Sequence, residues 1–334
     1  MRLKVKKIKL VINKIIIIII GIISIIYINK PKSISKTTEV TATSSVDLTF
    51  AVLGDVHENI DHFQEAINDF YIINSNMDAL ILNGDTVDQE LDEQYDSMKN
   101  TLSENKDLLP KTIIKNIGNH EFFNYDIEVN SPEQVQSFIT KYLEFSGEEK
   151  VYHDTWVKGY HFISLGSEDG NSETLNSVTA FISDEQLNWF KEKLAEKYKK
   201  GKPIFVFLHQ PLDYGNSSWI GVEQSEEIKE ILTQYPEVVM FASHTHSNLT
   251  ENSVLLNKPF TIVNTGAVHY TMIPDENEEN GYRRESDYIN GVYVEVNDNK
   301  VTIKGRNIKE KQWIFVNEIS NEWCKGNVSL PQIK

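Results

Sequence analysis

Five apolar runs of strand length in this chain stop on aspartate, asparagine or histidine, and that repetition restricts the folds open to it. "LTFAVL" closes on Gly54-Asp55-Val56-His57, "ALIL" on Asn83-Gly84-Asp85-Thr86-Val87-Asp88, and "TIIKNI" on Gly118-Asn119-His120-Glu121. "PIFVFL" closes on His209, and "VVMFA" on Ser243-His244-Thr245-His246. Two more runs, "YHFIS" and "FTIVN", have the same length and polarity. Between them the apolar spacing switches to a helical period over 62–74, 91–102, 131–145, 183–199 and 225–235. Two of these helices have well-marked starts. Ser131-Pro132-Glu133-Gln134 puts proline at the first helical position, and Ser183-Asp184-Glu185-Gln186 has capping-box spacing. Apolar strands alternating with helices predict an α/β fold. The closing "GVYVEVNDNKVTIKGRN" reads as a β-hairpin turning at Asn297-Asp298-Asn299, and "QWIFVNE" as one more strand, so the sheet should be mixed. No internal repeat or second boundary is visible after residue 46, which leaves 47–334 as one domain.

In α/β sheets, functional groups collect at the carboxyl ends of strands. Taken singly, each polar strand end is an ordinary loop entrance. Taken together, they hold five of the nine histidines, with three aspartates and two asparagines beside them. Residues i and i+2 of an extended chain point the same way, so His244 and His246 leave their strand side by side. Carboxylate and imidazole suit divalent zinc, manganese or iron. One carboxylate can bridge two ions, and two ions about 3.5–4 Å apart can clamp the attacking and leaving oxygens of a displacement at phosphorus. Cys324 is the only cysteine, which excludes a disulfide within the chain and a cysteine-based metal site.

The set D-x-H, GDxxD, GNHE, H and HxH, present in that order over 48–270, resembles the calcineurin-like metallophosphoesterase superfamily. The resemblance implies a four-layer α-β-β-α sandwich with two mixed β-sheets and two divalent ions (Mn, Fe or Zn). Asp55, His57 and His246 would hold one ion; Asn119, His209 and His244 would hold the other, with Asp85 bridging. His120 becomes the general acid or transition-state stabiliser beside the leaving oxygen, and Asp88 the residue that orients it. The implied reaction is attack by a metal-bridging hydroxide on phosphorus, with no covalent phospho-enzyme. Two departures stand out. Ser243 occupies the place where the family usually has glycine before HxH. Gln89-Glu90 follow the second motif, where the protein-phosphatase branch has Arg-Gly. Lacking an arginine clamp for a dianionic monoester, the chain is expected to act on phosphodiesters. The alternatives are a phosphomonoesterase or pyrophosphatase on nucleotides or lipid-linked phosphates, and a non-catalytic metal-binding surface protein.

Four residues are candidate substrate contacts. Asn59 stands close enough to reach a phosphate oxygen, or else caps the following helix. Tyr214 and Trp219 lie in a loop, 211–224, that is long for an α/β connection, and His269 follows "NTGAV" near the pocket rim. His62 reads as solvated, and His153 and His161 as structural.

The N-terminus is of a different character. After a basic stub at 1–9, residues 10–29 are apolar apart from Lys14 and a few small polar residues, long enough for a transmembrane signal-anchor, and 30–46 form a Ser/Thr/Lys-rich tether. Positive charge is heavier before the segment than after it, which predicts a single-pass membrane protein with its catalytic domain outside. Secretion after signal cleavage is the alternative. The first 36 residues carry nine Lys/Arg and no acid, so the net charge of −16 leaves −25 for the rest. So acidic a body does not grip a nucleic-acid backbone. The expected partners are a phosphate-ester small molecule or a lipid or cell-envelope substrate, together with the membrane.

Overall fold

The computed structural model describes residues 46–212, 221–256, 259–279 and 281–319. The basic stub, the apolar segment 10–29, the tether up to residue 45, Tyr214, Trp219 and Cys324 lie outside the described residues. Among the described residues no helix is long and apolar enough to cross a membrane.

The chain first lays down β1 (Leu48–Leu53), α1 (Ile60–Ile73), β2 (Ala79–Asn83), α2 (Asp92–Glu104) and β3 (Thr112–Asn116). The three strands pair in parallel. After α3 (Pro132–Ser146) a second sheet begins with the antiparallel pair β4 (His153–Val157) and β5 (Tyr160–Ser164). It continues through α4 (Asp184–Ala195), β6 (Ile204–Phe207), α5 (Ser225–Leu232), β7 (Val238–Ala242), β8 (Val254–Leu255) and β9 (Thr261–Asn264). A separate hairpin, β10 (Thr271–Pro274) with β11 (Tyr282–Glu285), follows. The chain then returns to the first sheet as β12 (Asn290–Asn297), β13 (Lys300–Asn307) and β14 (Gln312–Ile319). The sheet orders are β14-β13-β12-β1-β2-β3 and β4-β5-β6-β7-β9-β8, and both sheets are mixed.

The two sheets share one core. Phe50, Val52 and Val294 from the first pack with Phe162, Phe205, Phe207 and Phe241 from the second. Phe50 meets Phe205 edge-on at 4.8 Å, and Phe207 stacks on Phe241 at 5.2 Å. The alternate residues face outward. Ala51, Leu53, Leu80 and Leu82 carry Phe63, Ile67 and Phe70 of α1 and Tyr95 and Met98 of α2. Val206 and Met240 carry Phe190 of α4 and Ile228 of α5. The layers therefore run helix, sheet, sheet, helix. With both faces covered, these strands read as unbroken apolar runs rather than alternating ones.

Local chemistry explains the boundaries. Ser131 and Gln134 form a complete capping box with Pro132 beside it, and Gly147 ends α3 at φ 80°. At α4 the box is half formed: Ser183 accepts from Gln186 N, but the Gln186 side chain bonds Gly166 instead. That helix also ends at Ala195 and does not reach 199, because Lys197 turns to φ 53°. The β12–β13 turn places Asp298 at φ 48° and Asn299 at φ 63°, the two positive values that a tight two-residue hairpin needs.

Candidate active site

All five polar strand ends converge at one edge of the sandwich. The loops leaving them follow strained paths. Asp55, His57, Asp85, His244 and His246 have φ between 48° and 68°, a region that non-glycine residues enter at about 1–3 kcal/mol each. A web of main-chain bonds holds them there: Asp55 N donates to Gly84 O, His57 N to Asp85 O, and Met272 N to His246 O. Gly84 (φ 86°) and Gly118 leave the necessary room, since a Cβ on the first would strike the His209 ring and one on the second the Asp85 carboxylate.

Beside a group formed by His57, Asp85 and His120, two further groups of ligand atoms result. Asp55, His57 and His246 place theirs within 4.8 Å of one another, and so do Asp85, His209 and His244. Asp85 faces both groups, with Oδ2 3.1 Å from His209 Nε2 and 3.8 Å from His57 Nε2. Its Oδ1 accepts from His120 N at 2.8 Å. Asn119 is buried, and its Oδ1 has no hydrogen-bond partner.

The donor set fits cations. Asp55 Oδ1, Asn119 Oδ1 and His209 Nε2 are buried without hydrogen-bond partners, an arrangement that is costly unless something positive meets them. His209 Nδ1 lies 2.7 Å from Asn83 O and His246 Nδ1 lies 2.9 Å from Tyr270 O. A carbonyl only accepts, so both Nδ1 atoms donate and both Nε2 atoms keep a lone pair. His246 Nε2 lies 3.2 Å from His57 Nε2, close enough for the two rings to share a proton or a cation.

Charge balance points the same way. With protein groups alone, burial pushes the Asp55 carboxyl up to about 8 despite His209, and burial with His57 pushes His246 down to about 3. For Asp85, burial works upward, but His209, His120 and His57 hold the carboxyl well below its usual range. His209 resists burial through Asp85 and rises to about 9. Loading cations therefore displaces protons from this site.

His120 opens a short 3-10 turn, His120–Phe122. Its Nδ1 donates to the main-chain carbonyl of Asp88 at 2.6 Å, while the Asp88 carboxylate stands 3.7 Å away. Asp88 thus orients His120 chiefly through its backbone. The carboxylate lies closer to His57 Nδ1, at 3.4 Å, and accepts from Tyr125 Oη at 3.1 Å. The His57 contact holds it below the usual carboxylate range.

The remaining candidates divide. His269 is brought to the rim, its ring 5.2 Å from that of His57. Asn59 caps α1: Oδ1 accepts from His62 N, and Nδ2 meets His62 Nδ1 at 3.1 Å. The cap accounts for its amide oxygen. His62 is not simply solvated, since Nδ1 also lies 3.0 Å from the carbonyls of Val268 and His269. His161 pairs with Asp154 and stacks on Trp156, and His153 meets Lys115 O, so both are structural.

Several supporting residues escape a sequence reading. Glu121 is fully buried and accepts from the backbone N–H groups of Gly118, Asp85 and Thr86, fastening two ligand loops together. Burial, reinforced by Asp85, pushes its carboxyl up to about 7. Its place in the GNHE motif was the available signal. Glu90 anchors the loop after Asp88, meeting Lys141 Nζ at 3.0 Å and accepting from Tyr95 Oη.

Ser243 has a physical explanation. Its Oγ accepts from Asn83 Nδ2 at 2.8 Å and lies 2.7 Å from Thr265 Oγ1, while Asn116 Nδ2 donates to Asn83 Oδ1. This buried chain joins β3 and β2 of one sheet to β7 and β9 of the other, directly beneath the ligands. Ser243→Gly is expected to lower unfolding free energy by about 1–3 kcal/mol, because Asn83 and Thr265 lose a buried partner. Urea denaturation reads this directly; an unchanged midpoint would mean that the network contributes nothing.

A two-sheet α/β sandwich with paired carboxylate–imidazole clusters at its strand ends defines a dinuclear metallohydrolase. Residues 48–248 match the calcineurin-like phosphoesterase family, and the chain belongs to it. It is a hydrolase acting on phosphoester bonds, and its family uses a dinuclear metal site. Similar folds include a dimetal phosphatase from Danio rerio (TM-score 0.56, 13% identity, 83% of this chain and 100% of that one). The purple acid phosphatase PPD1 of yellow lupin (Lupinus luteus) is similar at TM-score 0.57 and 13% identity, over 83% of this chain and 54% of that one. GAP50, the anchor in the inner membrane complex of Plasmodium, is similar at TM-score 0.55 and 14% identity, over 82% and 88%. No curated protein matches the sequence.

Proposed function

We propose that this chain is a phosphodiesterase held at the outer face of a membrane by its apolar N-terminal segment. Asp55, His57 and His246 hold one cation; Asn119, His209 and His244 hold the second, and Asp85 serves both. Manganese, iron and zinc are the cations that a carboxylate, imidazole and amide set without thiolate favours. Once bound, they supply positive charge for the phosphoryl oxygens and lower the pKa of water. The chain's own groups do the rest. Asp88 O fixes the His120 ring, so that Nε2 is the atom left to serve the leaving oxygen. Glu121 keeps the Asp85 and Gly118 loops in register. His269 contacts the substrate at the rim, and Tyr214 and Trp219 do so from the loop after His209.

The observation that carries the diester preference is the environment of Gln89-Glu90. At the arginine position stands Gln89, whose Oε1 accepts from Tyr125 N, and Glu90 beside it is buried against Lys141 and Tyr95. A monoanionic diester needs an arginine clamp less than a dianionic monoester does. With manganese added, bis-p-nitrophenyl phosphate is expected to be hydrolysed about tenfold faster per unit concentration than p-nitrophenyl phosphate, a difference of about 1.4 kcal/mol. Faster turnover of the monoester would reverse the assignment. The topology is checked with protease added to intact cells, where digestion of the catalytic domain is the expected result.

A further inference from the structure

The chain has four arginines, Arg2, Arg283, Arg284 and Arg306. Arg306 forms a buried bidentate pair with Asp69 at 2.7 and 2.8 Å. Arg283 pairs with Asp275 and Glu285. Arg284 is different: among the described residues no carboxylate lies within ion-pair distance of it, in a body carrying a large excess of acid.

Its position is specific. The guanidinium carbon lies 3.6 Å from the centre of the Tyr270 ring, and that ring stacks on His246 at 3.9 Å and 18°. Imidazole, phenol and guanidinium form a column rising from the metal cluster. The hairpin register fixes this column. Arg284 stands opposite Met272, whose N–H donates to His246 O at 2.7 Å. Tyr270 and Met272 are two residues apart and share a face, so Arg284 reaches Tyr270 as a diagonal neighbour. The contact with Tyr270 holds the guanidinium in place, and the N–H groups not engaged with Tyr270 are left for an anion. Beside the column, His269 Nδ1 is buried without a hydrogen-bond partner. The His269 ring lies 5.2 Å from that of Tyr270.

We infer that Arg284 binds a second, non-reacting anionic group of the substrate, a phosphate or carboxylate, adjacent to the phosphorus held at the metal centre. Tyr270 separates the guanidinium from His246, so Arg284 meets the neighbouring group rather than the reacting one. This is compatible with a diester preference at the reacting phosphorus, and it rests on that reading. It also gives the β10–β11 hairpin a role: the hairpin carries specificity, and the strand ends carry chemistry.

The test compares two chromogenic diesters that share a leaving group, p-nitrophenyl thymidine 5′-phosphate and the same compound bearing a 3′-phosphate. Manganese-loaded wild type should favour the second by about tenfold in kcat/KM, mainly through KM, as expected for one charge-assisted contact. Arg284→Gln should bring the two probes within about twofold of each other, and Arg284→Lys should restore only part of the preference because it loses the guanidinium contact with Tyr270. The side chain is exposed, so melting temperatures should stay close to wild type. Equal rates on both probes in wild type, or a preference that survives Arg284→Gln, would overturn the inference. Failure of wild type to release nitrophenol from either probe would instead remove the diesterase reading, and the inference with it.

Discussion

Asp85→Asn should lower kcat/KM by roughly 10³-fold or more and reduce the metal content below two ions per chain. The substitution preserves shape, and the amide oxygen can still accept from His120 N, which Asp85 Oδ1 does at 2.8 Å. What disappears is a negative charge that faces both ligand groups, 3.1 Å from His209 and 3.8 Å from His57. No other described carboxylate lies as close to both; Asp55 Oδ1 stands 3.9 Å from His209 Nε2. Elemental analysis and steady-state kinetics on the same preparation separate the two effects. A variant that keeps both ions and full activity would show that Asp85 is not shared. Thermal melting guards against the trivial explanation, because Glu121 still secures the loop through the backbone of residues 85, 86 and 118.

The second large effect belongs to His120. His120→Ala is expected to cost about 10²–10⁴-fold in kcat while both ions remain bound, the range for loss of a positioned acid or base. Its ring lies 4.2 Å from that of His57, edge to face, and Phe123 packs on the other side at 4.3 Å. Nδ1 is committed to Asp88 O, so removing the ring takes away the Nε2 function together with that hydrogen bond and some packing. The loss should shrink for esters with better leaving groups, which depend less on proton donation. An equal loss for good and poor leaving groups would assign His120 to charge stabilisation instead. No loss at all, with metal retained, would argue for a binding protein that has kept the fold without the chemistry.

Strands β1, β2, β6 and β7 were legible because each is buried along its whole length and so appears as an unbroken apolar run. The helices were legible from their period and their caps, and the last hairpin from Asp298-Asn299. Where the sequence misled, a long-range partner was the cause. The lysine-rich stretch after Ala195 has ordinary helix propensity, yet Lys197 breaks it and Tyr198 Oη bonds Glu237, far along the chain. The β10–β11 hairpin offered no pattern, since Tyr282, Arg283 and Arg284 are all exposed and Pro274 ends its partner strand. Gln89-Glu90 registered only as a missing arginine. That Glu90 is an anchor depends on Lys141, 51 residues away.

By itself the sequence pointed to the strand-end residues that the fold brings within ligand distance, Asp55, His57, Asp85, His209, His244 and His246. A ligand at the carboxyl end of a buried strand needs only that strand and its neighbours to be placed, and strand identity is local information. The tertiary structure decided everything that depends on segments meeting across the two sheets. It decided that Asn83 O and Tyr270 O leave Nε2 of His209 and His246 free. It assigned the orientation of His120 to a carbonyl more than to a carboxylate. It turned Ser243 into a link between sheets, bonding Asn83 160 positions earlier. It also brought Arg284, one of the few arginines, to the mouth of a site whose sequence motifs contain none. Contacts of that kind are set by packing between distant elements, and no periodicity along the chain encodes them.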